Sequence, residues 1–147
     1  MYLSTVSVIF SCIFALTQAA YDQKQILELT TKCKATPEDT RTALNYTVPE
    51  TPTGKCLMLC MIKELNMLDS NDKYDEVLGL AALRKYWTEI KDAKLLDVNT
   101  NCVAYAKTLP PDTPSCEYGY KIMKCINSEF IKGNLFEESF KKPIKIE

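Results

Sequence analysis

The chain contains no histidine, and that absence removes three kinds of chemistry at once. There is no ordinary general base for a serine or cysteine nucleophile, no imidazole ligand for zinc, and no side chain that changes charge near neutral pH. A GxSxG elbow is also missing, which argues against a secreted lipase or phospholipase. There is no CxxC pair, so the thiols do not have the spacing of a zinc site. Glycine is scarce, at four residues in 147, and no repeat, low-complexity tract or flexible linker occurs. Basic runs are absent too: 18 Lys and Arg nearly balance 19 Asp and Glu. Nothing here would neutralise a phosphate backbone, so nucleic acid is not an expected partner. Asp69-x-Asn71 hints at calcium, but Lys73 stands where an oxygen donor is needed and Tyr74 replaces the turning glycine. No metal, no cofactor and no catalytic residue is expected.

One apolar run is present, at the start. Met1 to Ala20 carries no charged side chain, and Val6 to Leu16 is mostly apolar. Thr17-Gln18-Ala19 offers small residues for a cut after Ala19, with cleavage one residue later as the alternative. The run is too short for a comfortable span, and polar sequence follows at once. The expected organisation is a leader over 1–19 and a single domain over 21–147, with a C-terminal tail from about 131. That predicts a secreted, extracellular product with no stable membrane insertion.

Apolar positions recur at three and four rather than two, which predicts an all-α fold. Helices are expected over about 21–34, 37–44, 53–65, 74–87, 93–107 and 115–130. Thr36-Pro37-Glu38-Asp39 is a helix start: a capping hydroxyl, proline in the first turn, then acids at the positive end of the dipole. Val48-Pro49-Glu50-Thr51-Pro52 reads as a breaker. The helix from about Thr53 to Leu65 is apolar almost all round between Cys56 and Ile62, so it should be central.

Seven cysteines occur, of which Cys12 lies in the leader. The other six, Cys33, Cys56, Cys60, Cys102, Cys116 and Cys125, are separated by 22, 3, 41, 13 and 8 residues. An even set in a short exported chain predicts three disulfides. Cys56 and Cys60 project from one side of a helix, about a turn apart. Cys116 and Cys125 face roughly opposite sides of theirs. Long-range, interlocked bridges follow, although fifteen pairings remain open.

This cysteine pattern resembles that of the insect odorant-binding proteins, the six-cysteine branch that includes pheromone-binding and general odorant-binding proteins. The resemblance covers Cys33 to Cys125. It implies the bridges Cys33–Cys60, Cys56–Cys116 and Cys102–Cys125, with about six helices in a compact bundle around an apolar cavity. It further implies a non-catalytic carrier of odorants, pheromones or related lipophilic ligands that delivers them to a membrane odorant receptor, as a monomer or weak homodimer. A secreted interaction or signalling module of saliva, venom or reproductive fluid is the alternative on the same scaffold. Two features depart from the family pattern. The 22-residue interval is short, which trims the loop from Asn45 to Gly54, and the turn at Asp69 lacks a glycine.

The expected cavity wall is Leu57, Met61, Met67, Leu68, Val77, Leu80, Leu83, Trp87, Leu96, Ile122, Met123, Ile126 and Phe130, for a small lipophilic ligand. Flexible, polarizable methionines suit ligands of varied shape. Tyr86, Tyr105, Tyr118 and Tyr120 are candidates to meet a ligand's polar end. A pocket of roughly 300 Å³ would forfeit about 7 kcal/mol if empty, a loss that three disulfides can help to offset. Beyond Cys125, the tail residues Phe136, Phe140, Ile144 and Ile146 suggest a cover for the cavity mouth. Any acid response would have to use carboxylates, such as Glu137 and Glu138. Asn45-Tyr46-Thr47 is an N-glycosylation sequon at Asn45.

Overall fold

Two Thr-Pro steps start two successive helices, and one buried carboxylate ties their caps together. The computed structural model describes residues 23–140, with side chains through Glu137. The leader, the Phe140 and Glu138 side chains, Ile144 and Ile146 lie outside the described residues. Helix α1 covers residues 23–32. It is followed by α2 (Pro37–Leu44), α3 (Pro52–Glu64), α4 (Glu76–Tyr86), α5 (Asp92–Thr108), α6 (Ser115–Lys132) and α7 (Leu135–Phe140). The tail therefore adds a seventh helix to the six expected. Among the described residues the extended pairing is a single antiparallel bridge, Leu68 to Tyr74.

Thr36 caps α2 by accepting from the Asp39 N–H, and Thr51 caps α3 by accepting from the Gly54 N–H. Each cap is followed by proline in the first turn, where its missing N–H costs nothing. The stretch read as a breaker is thus also a starter. Asp39 then accepts hydrogen bonds from Thr36 at 2.9 Å, Thr51 at 2.7 Å and Thr53 at 2.6 Å. This carboxylate, 1% exposed, joins the start of α2 to the start of α3. The segment between them is consequently held in a fixed arc.

Helix α3 is central, as its all-round apolar surface predicts, and α6 is its main partner. Gly119 of α6 lies against Leu59 of α3, where a Cβ would come within 2.6 Å of the Leu59 Cα. Lys55 of α3 also meets Glu117 of α6 at 2.7 Å. The structure joins Cys33 to Cys60, Cys56 to Cys116 and Cys102 to Cys125. Hence α3 is bonded to the end of α1 and the start of α6, and α6 is bonded in turn to α5.

The main core gathers Ile62, Met67, Leu83, Leu95, Ile122 and Phe130, each 2% exposed or less. A polar chain runs through it. The Tyr74 O–H donates to Asn99 Oδ1 at 2.8 Å, and Asn99 Nδ2 donates to the Glu76 carbonyl at 2.9 Å. The Tyr118 hydroxyl accepts from the Tyr74 N–H at 2.9 Å. Burial pushes both phenols above their ordinary pKa. The glycine-free turn closes on Asp69, whose Oδ1 accepts from the Asn71 and Lys73 N–H groups.

Candidate ligand cavity

Five segments of chain converge on one apolar cavity of about 130 Å³. Helix α1 contributes Gln25, Ile26 and Leu29, and α3 contributes Met58, Met61 and, just past its end, Leu65. Ala43 comes from α2, and Tyr46, Thr47 and Val48 come from the arc after it. Tyr86 and Trp87 close one side. Helix α6 supplies Met123, Ile126, Asn127 and Phe130, and α7 supplies Phe136. No charged side chain is among these.

Aromatic rings form a continuous strip along one wall. Trp87 meets Phe130 edge-on at 5.1 Å, Phe130 meets Phe136 at 5.2 Å, and Phe136 meets Tyr46 at 5.4 Å. These separations lie in the favourable range for ring pairs. The strip joins α4, α6, α7 and the arc after α2. Phe136 can reach it because Asn134 adopts a left-handed conformation (φ 55°), turning the chain back after Gly133. Leu135 is anchored beside it at 1% exposure.

Of the expected wall, Met61, Trp87, Met123, Ile126 and Phe130 line the cavity. The others do not. Leu83, Met67 and Ile122 are fully buried in solid core, with Leu68 beside them. Leu57 belongs to a second cluster with Met58 and Tyr120. Val77 is 75% exposed. The buried stripe of α4 runs through Gly79, Ala82 and Leu83, and two residues back from Gly79 is about 160° around a helix. Leu96, at 44% exposure, sits about 100° from the Leu95 direction on α5. Leu80 has the same flanking relation to Gly79 and is half-buried.

Tyr86 lines the cavity, whereas Tyr105 is exposed and the Tyr118 hydroxyl is engaged in the core. Tyr120 is buried in the second cluster, and its hydroxyl reaches Glu50 rather than the cavity. Its O–H donates to the Glu50 carboxylate at 3.0 Å, and Lys124 donates to both groups at 2.8 Å. Lys124 and then Tyr120 hold the Glu50 carboxyl below its ordinary pKa, and Glu50 and then Tyr120 hold Lys124 above its own. This cluster fastens the arc carrying Val48 to α6. Asn45 is exposed beside the wall residues Tyr46 and Thr47.

Comparison with known proteins agrees with this geometry. The PBP/GOBP family model matches residues 11–129. The chain belongs to that family. It is similar to General odorant-binding protein 28a of Drosophila melanogaster, 30% identical over 127 residues, which cover 79% of this chain and 85% of the relative. Similarity to General odorant-binding protein 19d of the same fly is 25% identity over 112 residues, covering 74% and 73%. The solved structure of odorant-binding protein dmelOBP28a from Drosophila melanogaster superposes with a TM-score of 0.58 at 27% identity. That match covers 82% of this chain and 96% of the other. The fold is therefore the all-α odorant-binding fold, and membership of this family of small-ligand carriers makes the protein non-catalytic.

A second concavity lies on the outer side of α5 and α6, lined by Asn101, Lys121, Lys124, Glu129 and Lys132 among others. Its charges are already matched, Lys124 with Glu50 and Lys132 with Glu129. An apolar guest gains nothing there.

Proposed function

We propose that this protein is a secreted carrier that takes small lipophilic molecules into the cavity between α1, α3 and α6 and delivers them to membrane odorant receptors. The observation that carries the reading is the uncharged cavity with its strip of four aromatic rings. Binding there is driven by desolvation of apolar surface, with few polar groups to orient the guest. Family membership supports the same role, and the uncharged leader over 1–19 supports export. The volume sets a size class. A dry cavity of about 150 Å³ accepts benzene, so the present cavity suits molecules near that size, and longer guests need a wall to yield. Helix α7 is the wall we assign to that role, as a cover that Phe136 seats on Phe130 and Tyr46.

Trp87 is the only tryptophan and lies on the wall, so it reports entry directly. Titrating the oxidised protein with N-phenyl-1-naphthylamine should quench Trp87 saturably, and small volatile compounds should displace the probe. Mass spectrometry of natively purified protein should then show a co-bound lipophile. Tight binding to a receptor ectodomain with no small-molecule uptake would instead favour an interaction module.

A further inference from the structure

Asn127, on the cavity wall, has a buried Oδ1 with no hydrogen-bond partner among the described residues. Its side chain is not free to turn. Asn127 Nδ2 donates to the main-chain carbonyl of Tyr46 at 2.9 Å. A carbonyl only accepts, so the amide nitrogen must point at Tyr46 and the oxygen must take the other position. That oxygen is closed off from solvent, yet no described protein group donates to it. Buried acceptors are nearly always satisfied in native proteins. Leaving one unmade costs more than an average hydrogen bond contributes.

The rest of the wall narrows what can satisfy it. With no cation among the described residues that line the cavity, a carboxylate guest would be buried there without compensation. With no anion there, an ammonium guest fails for the same reason. An aldehyde, ester or ether accepts but does not donate, so it leaves Oδ1 unpaired. A neutral hydroxyl satisfies it, and the aromatic strip then receives the apolar remainder. We infer that Asn127 Oδ1 is a specificity determinant that accepts a hydrogen bond from the hydroxyl of a small neutral alcohol or phenol. This rests on the carrier reading above and adds the chemical class of the guest.

The test compares benzyl alcohol with benzyl methyl ether, each displacing N-phenyl-1-naphthylamine from the full oxidised protein and from Asn127→Leu. The substitution also strips the Tyr46 carbonyl of its donor, but that damage affects both guests alike and cancels in their ratio. The alcohol-to-ether affinity ratio should fall about tenfold in the variant, the size of one hydrogen bond. Should Asn127→Leu fail to fold, the wild-type protein alone decides. After correction for water-to-alkane partition, the alcohol should bind about tenfold or more above the ether. An unchanged ratio, or no alcohol surplus in the wild type, overturns the assignment, as it would if a water held Oδ1. If both guests bind equally, the carrier reading stands and the role of Asn127 falls. If neither the probe nor any guest enters, both fall together.

Discussion

Ala43 offers the cleanest way to separate a working cavity from ordinary loose packing. It is 7% exposed, sits near the end of α2 and faces the cavity. At about 24 cal/mol per Å³, the cavity of about 130 Å³, which opens in part to solvent, costs the empty protein at most about 3 kcal/mol. Ala43→Leu places three more carbons into that space, worth about 0.8 kcal/mol each when buried. Ordering the leucine side chain returns about 0.5 to 1 kcal/mol. The expected net gain is about 1.5 kcal/mol, or about 5 °C in Tm for a domain of this length. Function should move the other way. The probe loses its space, so its affinity should drop by more than tenfold.

Guanidinium denaturation with and without probe reads both effects in one experiment. Wild-type protein at a probe concentration of 100 Kd should gain about 2.7 kcal/mol, and Ala43→Leu at the same concentration should gain less than about 1.4 kcal/mol. A variant that binds the probe normally without a gain in stability would show that the guest sits elsewhere. A variant that loses both stability and binding would show that the space was never open.

Other perturbations test the neighbouring parts. Deleting Gly133 onward should accelerate probe dissociation about tenfold, and Phe136→Ala should do so with the fold intact; unchanged stopped-flow release would reject α7 as a cover. Gly119→Ala should destabilise by about 2 kcal/mol despite alanine's better helix propensity, because the new methyl meets Leu59 backbone rather than a movable side-chain end. For Asp39, burial raises the pKa, but the Thr51, Thr53 and Thr36 hydroxyls together outweigh it and leave the carboxyl below its ordinary 3.8. A depressed folded value means its stabilisation is complete above that pH and lost as pH falls through the folded value. Asp39→Asn should therefore cost about 2 kcal/mol at pH 7 and much less near pH 2, as followed by urea midpoints. Asn45 is exposed, so protein secreted from insect cells should lose mass on treatment with peptide N-glycosidase F, and should not after Asn45→Gln.

Much of the fold was legible because its signals are local. Period-three-and-four spacing marks the helices, Thr36-Pro37 marks a start, and the apolar circumference from Cys56 to Ile62 marks the centre. Thr51-Pro52 carries the same start signal as Thr36-Pro37. It reads as a breaker because Pro49 stands just before it, and proline both ends and begins helices. The site was harder to read. Met61 and Ile62 are adjacent and equally apolar, yet one lines the cavity and the other is solid core. Which of them faces a void depends on where α1 and α7 dock, and no local pattern encodes that. Val77 misled because a short helix offers few turns from which to fix the phase of its stripe. Asn127 carried no signal at all, since its meaning depends on the Tyr46 carbonyl 81 positions away in sequence.

The hollow is smaller than the roughly 300 Å³ expected of a ligand pocket, and that changes what the disulfides are for. A void costing at most about 3 kcal/mol is offset by a single bridge, since one closing a loop of this size contributes on the order of 3 to 4 kcal/mol. Three bridges exceed that need, so their placement matters more than their sum. Cys33–Cys60 ties α1 to α3, and Cys56–Cys116 ties α3 to α6. Those three helices supply most of the wall. Helix α5 supplies none of it, and its bridge, Cys102–Cys125, instead fixes the outer side of α6. Helix α1 lines the cavity with Gln25, Ile26 and Leu29, buries Thr30, packs Leu29 against the buried clusters and pairs Lys32 with Glu64 of α3. Its covalent link to α3 through Cys33–Cys60 fixes that side of the cavity, so that α7 is the wall free to serve as a cover.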